Sequence, residues 1–275
     1  MCPVLFEIGP FTLYSYGLML ALGFITASAI MTIEYKRRKF GPELAGNITL
    51  VALIAGVVGA KLLYVLEHWQ HFQADLSIIV SPGGLSYFGG FLLATGSIWW
   101  YTTRKKKLNF LAVADGTVPG MMLGYGVARL GCHFAGDGDY GFPTDLPWGT
   151  DYSQGTMPPS EAFRNFPEIT SQFAGGVVPD TTLCHPTPVY ELILSAIFFA
   201  VLWRYRTRIK TTGGLFMLYL VLAGLARFII EFARINQRVV AGLTEYQFFA
   251  AGLVIAGFAG WWLLNKREKD AGSTP

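Results

Sequence analysis

Residues 111–141 read LAVADGTVPGMMLGYGVARLGCHFAGDGDYG. Up to Leu130 the stretch is apolar apart from Asp115 and Arg129. It is long enough for a membrane helix, which takes roughly 17–25 such residues. Beyond it, glycine alternates with aspartate from Gly136 to Asp139, and the run closes on Tyr140 and Gly141. The pattern predicts a membrane span that ends in a tight polar loop, with Arg129 at the junction. A fixed charge at membrane depth costs several kcal/mol, and in membrane proteins such charges face an interior cavity and mark function. A guanidinium fork suits phosphate, which every phospholipid head group carries.

The rest of the chain is of the same kind. Of its 275 residues 14% are charged, and the mean hydropathy is +0.42. Soluble domains carry roughly 25% charged residues, so a soluble fold is excluded. Apolar blocks at 13–33, 45–66, 85–101, 111–130, 189–203, 215–235 and 246–264 predict seven spans, the third and fifth of them short. Basic clusters follow alternate spans: Lys36 to Lys39, Arg104 to Lys107, Arg204 to Lys210, and Lys266 to Lys269. The opposite loops are acidic, with Glu67, Asp75, Asp137, Asp139 and Glu161 among them. By the positive-inside rule the N-terminus lies outside and the C-terminus in the cytoplasm. The basic residues thus set topology; the net charge is only +3, and no nucleic acid partner is expected. No cleavable leader is legible at the N-terminus, and the first span itself would direct insertion.

The expected fold is therefore an all-α polytopic membrane protein of about seven transmembrane helices, forming one domain over 1–275. Val4 to Leu13 alternates apolar and polar residues around Gly9-Pro10, as a strand or hairpin arm on the outer surface would. The stretch Ser81-Pro82-Gly83-Gly84 breaks the chain before the third span. Residues 136–185, rich in Gly, Pro, Asp and aromatics, form a small head or lid on the outer face between spans four and five; a loop of this length on a compact scaffold is usually functional.

Ionisable residues inside the spans point to one place. Arg227, Glu231 and Arg234 recur at helical spacing and would share one face, and alone the Arg227–Glu231 pair reads equally as a self-neutralising ion pair that glues helices. Glu191 follows His185-Pro186 at the outer mouth of the fifth span. Together with Arg129 they lie toward the outer ends of their spans, and one polar cavity open to the outer leaflet accounts for all of them. Lys61 is expected to snorkel to the head groups, and Asp115 to cap its helix. His133 and His185 lie near the outer surface; each taken alone reads first as a surface or interface histidine, and either could act as a general base at neutral pH. His68 and His71 read as loop residues.

Three other patterns lead nowhere. The run Gly136 to Gly141 matches the dinucleotide-binding glycine pattern in letters only: no strand precedes it, and its aspartates would repel a pyrophosphate. As a calcium loop it lacks the closing glutamate. No Cys/His spacing suits zinc, so no metal and no cofactor is expected. Cys2, Cys132 and Cys184 are an odd set, and a Cys132–Cys184 disulfide is not favoured.

In combination these pieces resemble the prolipoprotein diacylglyceryl transferases of bacterial inner membranes. The matching residues run through most of the chain: Ile8-Gly9-Pro10-Phe11 with Tyr16-Gly17-Leu18; Gly59-Ala60-Lys61 with Tyr64; Gly83-Gly84-Leu85-Ser86 with Gly89-Gly90; Asp115; Arg129-Leu130-Gly131 with Gly136 and Asp137; His185-Pro186 with Tyr190-Glu191; and Arg227-Phe228 with Glu231-Phe232 and Arg234. The resemblance implies transfer of a diacylglyceryl group from phosphatidylglycerol to the lipobox cysteine thiol of a preprolipoprotein. A thioether forms and glycerol phosphate leaves. Arg129 and Arg227 would hold the phosphate and stabilise the leaving group. Glu231, Asp137 and His185 are the further catalytic candidates; Tyr16, Gly89, Gly90, Gly141, Glu191 and Arg234 would line the lipid site. Partners would be phosphatidylglycerol, the lipobox peptide and membrane lipids, with the oligomeric state open.

The chain departs from that family's pattern at three places. Phe88 stands where the well-studied members carry histidine, Cys132 where they usually carry asparagine, and Asp137 where glutamate is common. If the family histidine is the thiol base, its role here is absent or moved, with His133, His185, Glu231 and Asp137 as candidates. Two alternatives follow: a transferase of the same fold with a different acceptor, and a non-catalytic lipid- or anion-binding or transport homologue. Transporters often show internal repeats, and no repeat is legible here.

Overall fold

The computed structural model describes residues 1–9, 11–41, 43–79 and 84–272. Pro10 of the N-terminal motif and the Ser81-Pro82-Gly83 break lie outside them. The chain opens with an antiparallel hairpin of β1 (Val4–Ile8) and β2 (Phe11–Tyr14), in agreement with the expected arm. Then come α1 (Ser15–Arg37), α2 (Leu44–Glu67), the short α3 (Trp69–Ala74), α4 (Tyr87–Trp100) and α5 (Phe110–Ala135). Within 136–185 lie β3 (Thr150–Asp151), the one-turn helices α6 (Pro159–Ala162) and α7 (Pro167–Thr170), and β4 (Leu183–Cys184), which pairs with β3. The chain ends with α8 (Thr187–Tyr205), α9 (Gly214–Ile230) and α10 (Glu245–Gly272).

Among the described residues five helices (α1, α2, α5, α8 and α10) are long and apolar enough to cross a membrane. Their outer faces carry what a bilayer and not water would solvate: Leu62 on α2 and Ile255, Phe258 and Trp262 on α10 are each more than half exposed. The expected spans three and six are shorter. α4 has 14 residues, extended by a π-helical stretch, Tyr101–Lys105. α9 has 17 and stops at Ile230, five residues before the expected end of its span. The fifth span, expected to be short, is a full 19-residue helix, because Thr187 and Pro188 already lie in its first turn. Proline fits there, where its missing N–H has no partner to lose.

The chain divides into two compact units, Met1–Ile30 with Thr117–Pro275, and Met31–Gly116. α1 and α5 each run from one into the other. In the second unit, Tyr35, Leu44, Ala45, Ile48 and Val113 form the core. α2 and α4 touch backbone to backbone there: a Cβ on Gly90 would lie 2.9 Å from the Gly56 carbonyl oxygen, and one on Gly89 would overlap the Gly59 carbonyl. Small residues of this kind let membrane helices approach without a hydrophobic driving force. Asn109, not Asp115, caps α5, its Oδ1 accepting the Leu111 N–H at 2.9 Å. Asp115 is instead buried inside the helix, 3.7 Å from Arg38. The cap falls to Asn109 because it directly precedes the first turn, where free N–H groups need an acceptor; Asp115 sits a full turn too late.

In the first unit, Val118, Met122, Leu202 and Leu215 pack α5, α8 and α9 together. Residues 136–185 carry a core of their own. The Tyr140 and Tyr152 rings stack with centroids 4.2 Å apart, and Phe163, Val178 and Cys184 are fully buried around them. Aromatic pairs of this kind add about 0.5–1.5 kcal/mol beyond their buried area, which explains how a segment of such short elements holds a shape. Cys2, Cys132 and Cys184 are all free thiols.

Candidate active site

Three arginines from different parts of the chain converge on one carboxylate. Glu191, early in α8 and 4% exposed, accepts both Nε and Nη2 of Arg129, the latter at 3.1 Å. Arg234 Nη1 lies 3.3 Å and Arg227 Nη1 3.4 Å from its Oε1. The Tyr125 hydroxyl donates to Oε2 at 3.1 Å. The packing of α5 against α8 and α9 brings these residues together. Arg227 lies in the last turn of α9, where the helix dipole favours a cation. Two rings back the guanidiniums: Tyr125 under Arg129 at 5.5 Å and Tyr246 under Arg227 at 4.8 Å.

Two more carboxylates balance the charge. Glu231 is completely buried. It faces Arg227 Nη2 at 3.1 Å and accepts from Asn236 Nδ2 at 2.6 Å and Thr244 Oγ1 at 2.9 Å. Asp139 binds Arg129 Nη1 at 2.5 Å and also Arg234 Nη2. Three guanidiniums therefore meet three carboxylates, the condition under which charges tolerate burial.

Arg234 does not lie on the helical face with Arg227 and Glu231. α9 ends at Ile230 and Glu231 is its C-cap. Arg234 follows in extended chain that pairs with Gly141. The helical spacing of the sequence fails there because this backbone bonds to the 141–142 loop: Phe142 donates its N–H to the Ala233 carbonyl at 3.1 Å. Gly141 makes that possible. A Cβ on it would collide with the Ala233 carbonyl oxygen and lie 2.9 Å from His185 Cβ. Its N–H donates to the His185 carbonyl at 2.8 Å. Gly141 therefore serves the site through its backbone, stitching the aspartate loop to the chain that carries Arg234.

The loop itself turns on Gly136 and Gly138, both at positive φ (59° and 87°). Asp137 Oδ1 accepts the Asp139 N–H at 3.2 Å, and Thr187 Oγ1 donates to the Asp139 carbonyl at 2.6 Å. This geometry separates the two aspartates. Burial opposes ionisation of Asp139, but Arg129 and Arg234 overcome it and hold the carboxyl at about 2. Asp137 has no such partner at close range: burial first, then the charge of Asp139, push it above the usual carboxylate range. Cys132, Asp137 and Asp139 present possible ligand atoms within 4.8 Å of one another. The group is not shaped for a cation, because Arg129 Nη1 lies 3.3 Å from Cys132 Sγ as well as against Asp139.

The other expected residues fall around this centre or apart from it. Tyr16 on α1 packs its backbone against α5 next to Arg129: a Cβ on Gly131 would lie 3.1 Å from the Tyr16 carbonyl oxygen. His185 Nδ1 faces the Tyr190 hydroxyl at 3.2 Å, and Trp148 Nε1 donates to that same oxygen at 2.8 Å. Burial pushes the His185 imidazole down, so it is neutral at pH 7. None of its hydrogen bonds reaches the arginines. His133 is engaged with the Tyr152 hydroxyl at 3.0 Å. Gly89 and Gly90 belong to the second unit, where contact with α2 accounts for the glycines. Asp139 and Tyr125 are members of the cluster that the sequence did not single out.

A model of the prolipoprotein diacylglyceryl transferase family matches residues 3–263. The chain belongs to that family. It is similar to the phosphatidylglycerol–prolipoprotein diacylglyceryl transferase of Clostridium tetani, at 30% identity over 94% of this chain and 95% of the relative. It is likewise similar to the proteins of that name from Dehalococcoides mccartyi, at 29% over 98% and 95%, and Pseudoalteromonas atlantica, at 28% over 98% and 91%. The family match runs through every element of the arginine cluster.

Proposed function

We propose that this transferase moves a diacylglyceryl group from phosphatidylglycerol to the cysteine thiol of a prolipoprotein, forming a thioether and releasing glycerol phosphate. The observation that carries the reading is the meeting of Arg129, Arg227 and Arg234 around Glu191 in a chain of this family. The reaction breaks a carbon–oxygen bond and leaves charge on the departing phosphate. Oriented guanidiniums in a site shielded from water stabilise that charge without reorganising. Arg129, Arg227 and Arg234 hold the phosphate, Glu191 aims all three forks, and Glu231, locked by Asn236 and Thr244, fixes Arg227.

The acceptor thiol must lose its proton. Asp137 is the best-placed base: its affinity for a proton is raised, and it lies beside Arg129 through Cys132 and Asp139. The nucleophile belongs to the substrate, so the chain's own cysteines need no part in the reaction. Tyr16 lines the same mouth, and Gly89 and Gly90 shape the α2–α4 surface for lipid.

In the membrane we infer seven crossings, with α4 through Lys105 and α9 completing the set; at 1.5 Å per residue they reach about 28 and 26 Å, close to the hydrocarbon thickness. The N-terminus and the 136–185 head face outward, the C-terminus faces the cytoplasm, and 1–275 works as one transferase domain in a bacterial inner membrane. The direct test incubates the purified protein with a lipobox peptide and phosphatidylglycerol and reads the peptide mass. Addition of a diacylglyceryl group supports the assignment; an unmodified peptide, with the lipid consumed onto another thiol, amine or polyol, assigns a different acceptor.

A further inference from the structure

Asp139 holds the donors that an incoming phosphate must take. Arg129 gives Nε and Nη2 to Glu191, and its Nη1 to Asp139 and to Cys132. Arg234 gives Nη1 to Glu191 and Nη2 to Asp139. On these two arginines, the edges turned away from Glu191 are therefore covered by one loop carboxylate. The three carboxylates differ in how they can leave. Glu231 is wholly buried and Glu191 nearly so, whereas the Asp139 side chain is 28% exposed. A buried carboxylate stripped of its partner stays uncompensated; an exposed one is taken up by water. The loop backbone is pinned independently of the side chain, by Thr187 at the Asp139 carbonyl and by Asp137 at its N–H. The carboxylate can swing away while its backbone stays in place.

We propose that Asp139 is a tethered competitor: a built-in anion that occupies the Arg129 and Arg234 forks until a lipid phosphate displaces it. This rests on the reading of the cluster as the phosphate site and adds a threshold to it. A head group enters only if it offers the two arginines at least as much negative charge as Asp139 does. A phosphate diester, which carries a charge of −1, meets that requirement, and an uncharged head group does not. Asp139 thus lowers the affinity of the forks for phosphate and keeps them filled when no lipid is bound. In the transfer step it releases the forks to the phosphate and takes no proton.

The experiment titrates short-chain phosphatidylglycerol, short-chain phosphatidylcholine and inorganic phosphate into the detergent-solubilised protein and its Asp139→Asn, Asp139→Glu and Arg129→Ala variants. Removing one partly exposed competing ion pair should tighten binding of phosphatidylglycerol and of inorganic phosphate to Asp139→Asn by about tenfold. Phosphatidylcholine, whose phosphate carries the same charge, should tighten by a similar factor. Asp139→Glu keeps the charge and should bind as the parent does. Binding to Asp139→Asn that equals or falls below that of the parent, while Arg129→Ala loses it, overturns the competitor and leaves the phosphate site standing. If Arg129→Ala changes the binding of neither lipid, the site assignment itself fails. A merely structural Asp139 would weaken binding in both Asp139 variants and lower their melting temperatures together. Should Asp139→Asn not fold, Asp139→Ser supplies the same comparison.

Discussion

Among the described residues two clusters of arginine and carboxylate stand out, and they are built differently. One joins Glu34, Arg37, Arg38 and Asp115 in the second unit. Arg37 meets Glu34 at 2.7 Å, one turn away on α1, and Arg38 lies 3.7 Å from both Glu34 and Asp115. The other gathers Arg129, Asp139, Glu191, Arg227, Glu231 and Arg234 from α5, α8, α9 and two loops. The first needs two helices and ends on completely buried Glu34. The second spans 95 residues between Asp139 and Arg234 and leaves some Arg129, Arg227 and Asp139 surface open. A cluster that joins two helices through buried carboxylates, Glu34 and Asp115, fastens those helices even though its arginines reach water. A cluster assembled from distant segments and left ajar can exchange a partner for a ligand.

Substitutions should separate the two. Arg129→Ala and Arg227→Ala should insert normally yet lose at least about a hundredfold in transfer rate, as the loss of an oriented charge-stabilising donor does; full activity in both would remove the phosphate clamp. Asp137→Asn should lose about a hundredfold, typical of a general base. In the parent, the rate should fall as pH drops through the Asp137 pKa, because only the carboxylate accepts a proton. That limb should begin above the pH of about 4 at which an ordinary carboxylate titrates, since burial and Asp139 raise it. An unchanged profile in Asp137→Asn would put the base elsewhere.

In the first cluster the effect should be on stability. Asp115→Ala leaves Arg38 with less compensation and should cost about 3–5 kcal/mol, the range for breaking a buried pair. A large drop in melting temperature with the KM of the surviving protein unchanged would mark it as a fastener; a changed KM would blur the distinction. The smallest effect is expected at His185→Ala. Its ring contacts Tyr190 and not the arginines, so the rate should fall less than about tenfold. A larger loss, with an altered rate–pH profile, would restore it as a base.

Much of this was legible in the residues. Apolar blocks marked the helices, and the ionisable residues near the ends of several of them were read as belonging to one place. Arg129, Glu191, Arg227, Glu231 and Arg234 do meet. What was hidden depended on backbone turns and contacts across the chain. The sequence favoured Asp137 over Asp139, but the positive φ of Gly138 turns Asp139 toward two arginines and leaves Asp137 to accept its N–H. Tyr125 looked like one more aromatic in a span until Glu191, 66 residues on, came within reach of its hydroxyl. The end of α9 at Ile230 was invisible because continued helical spacing masked a segment bonded to a distant loop.

The three free thiols carry a last consequence. An enzyme that alkylates cysteine must not compete with its own substrate. Cys184 is sealed in the aromatic core of 136–185, and burial pushes its thiol up to about 12. Burial thus keeps it as the thiol at neutral pH, and the thiolate is the form that attacks carbon. Cys132 is buried against Arg129, and Cys2 alone is exposed. A maleimide pulse on the folded protein should therefore label one site per chain and rise to three on denaturation. The fold keeps two of its three sulfurs chemically silent, so the reactive sulfur in the reaction is the one the acceptor brings.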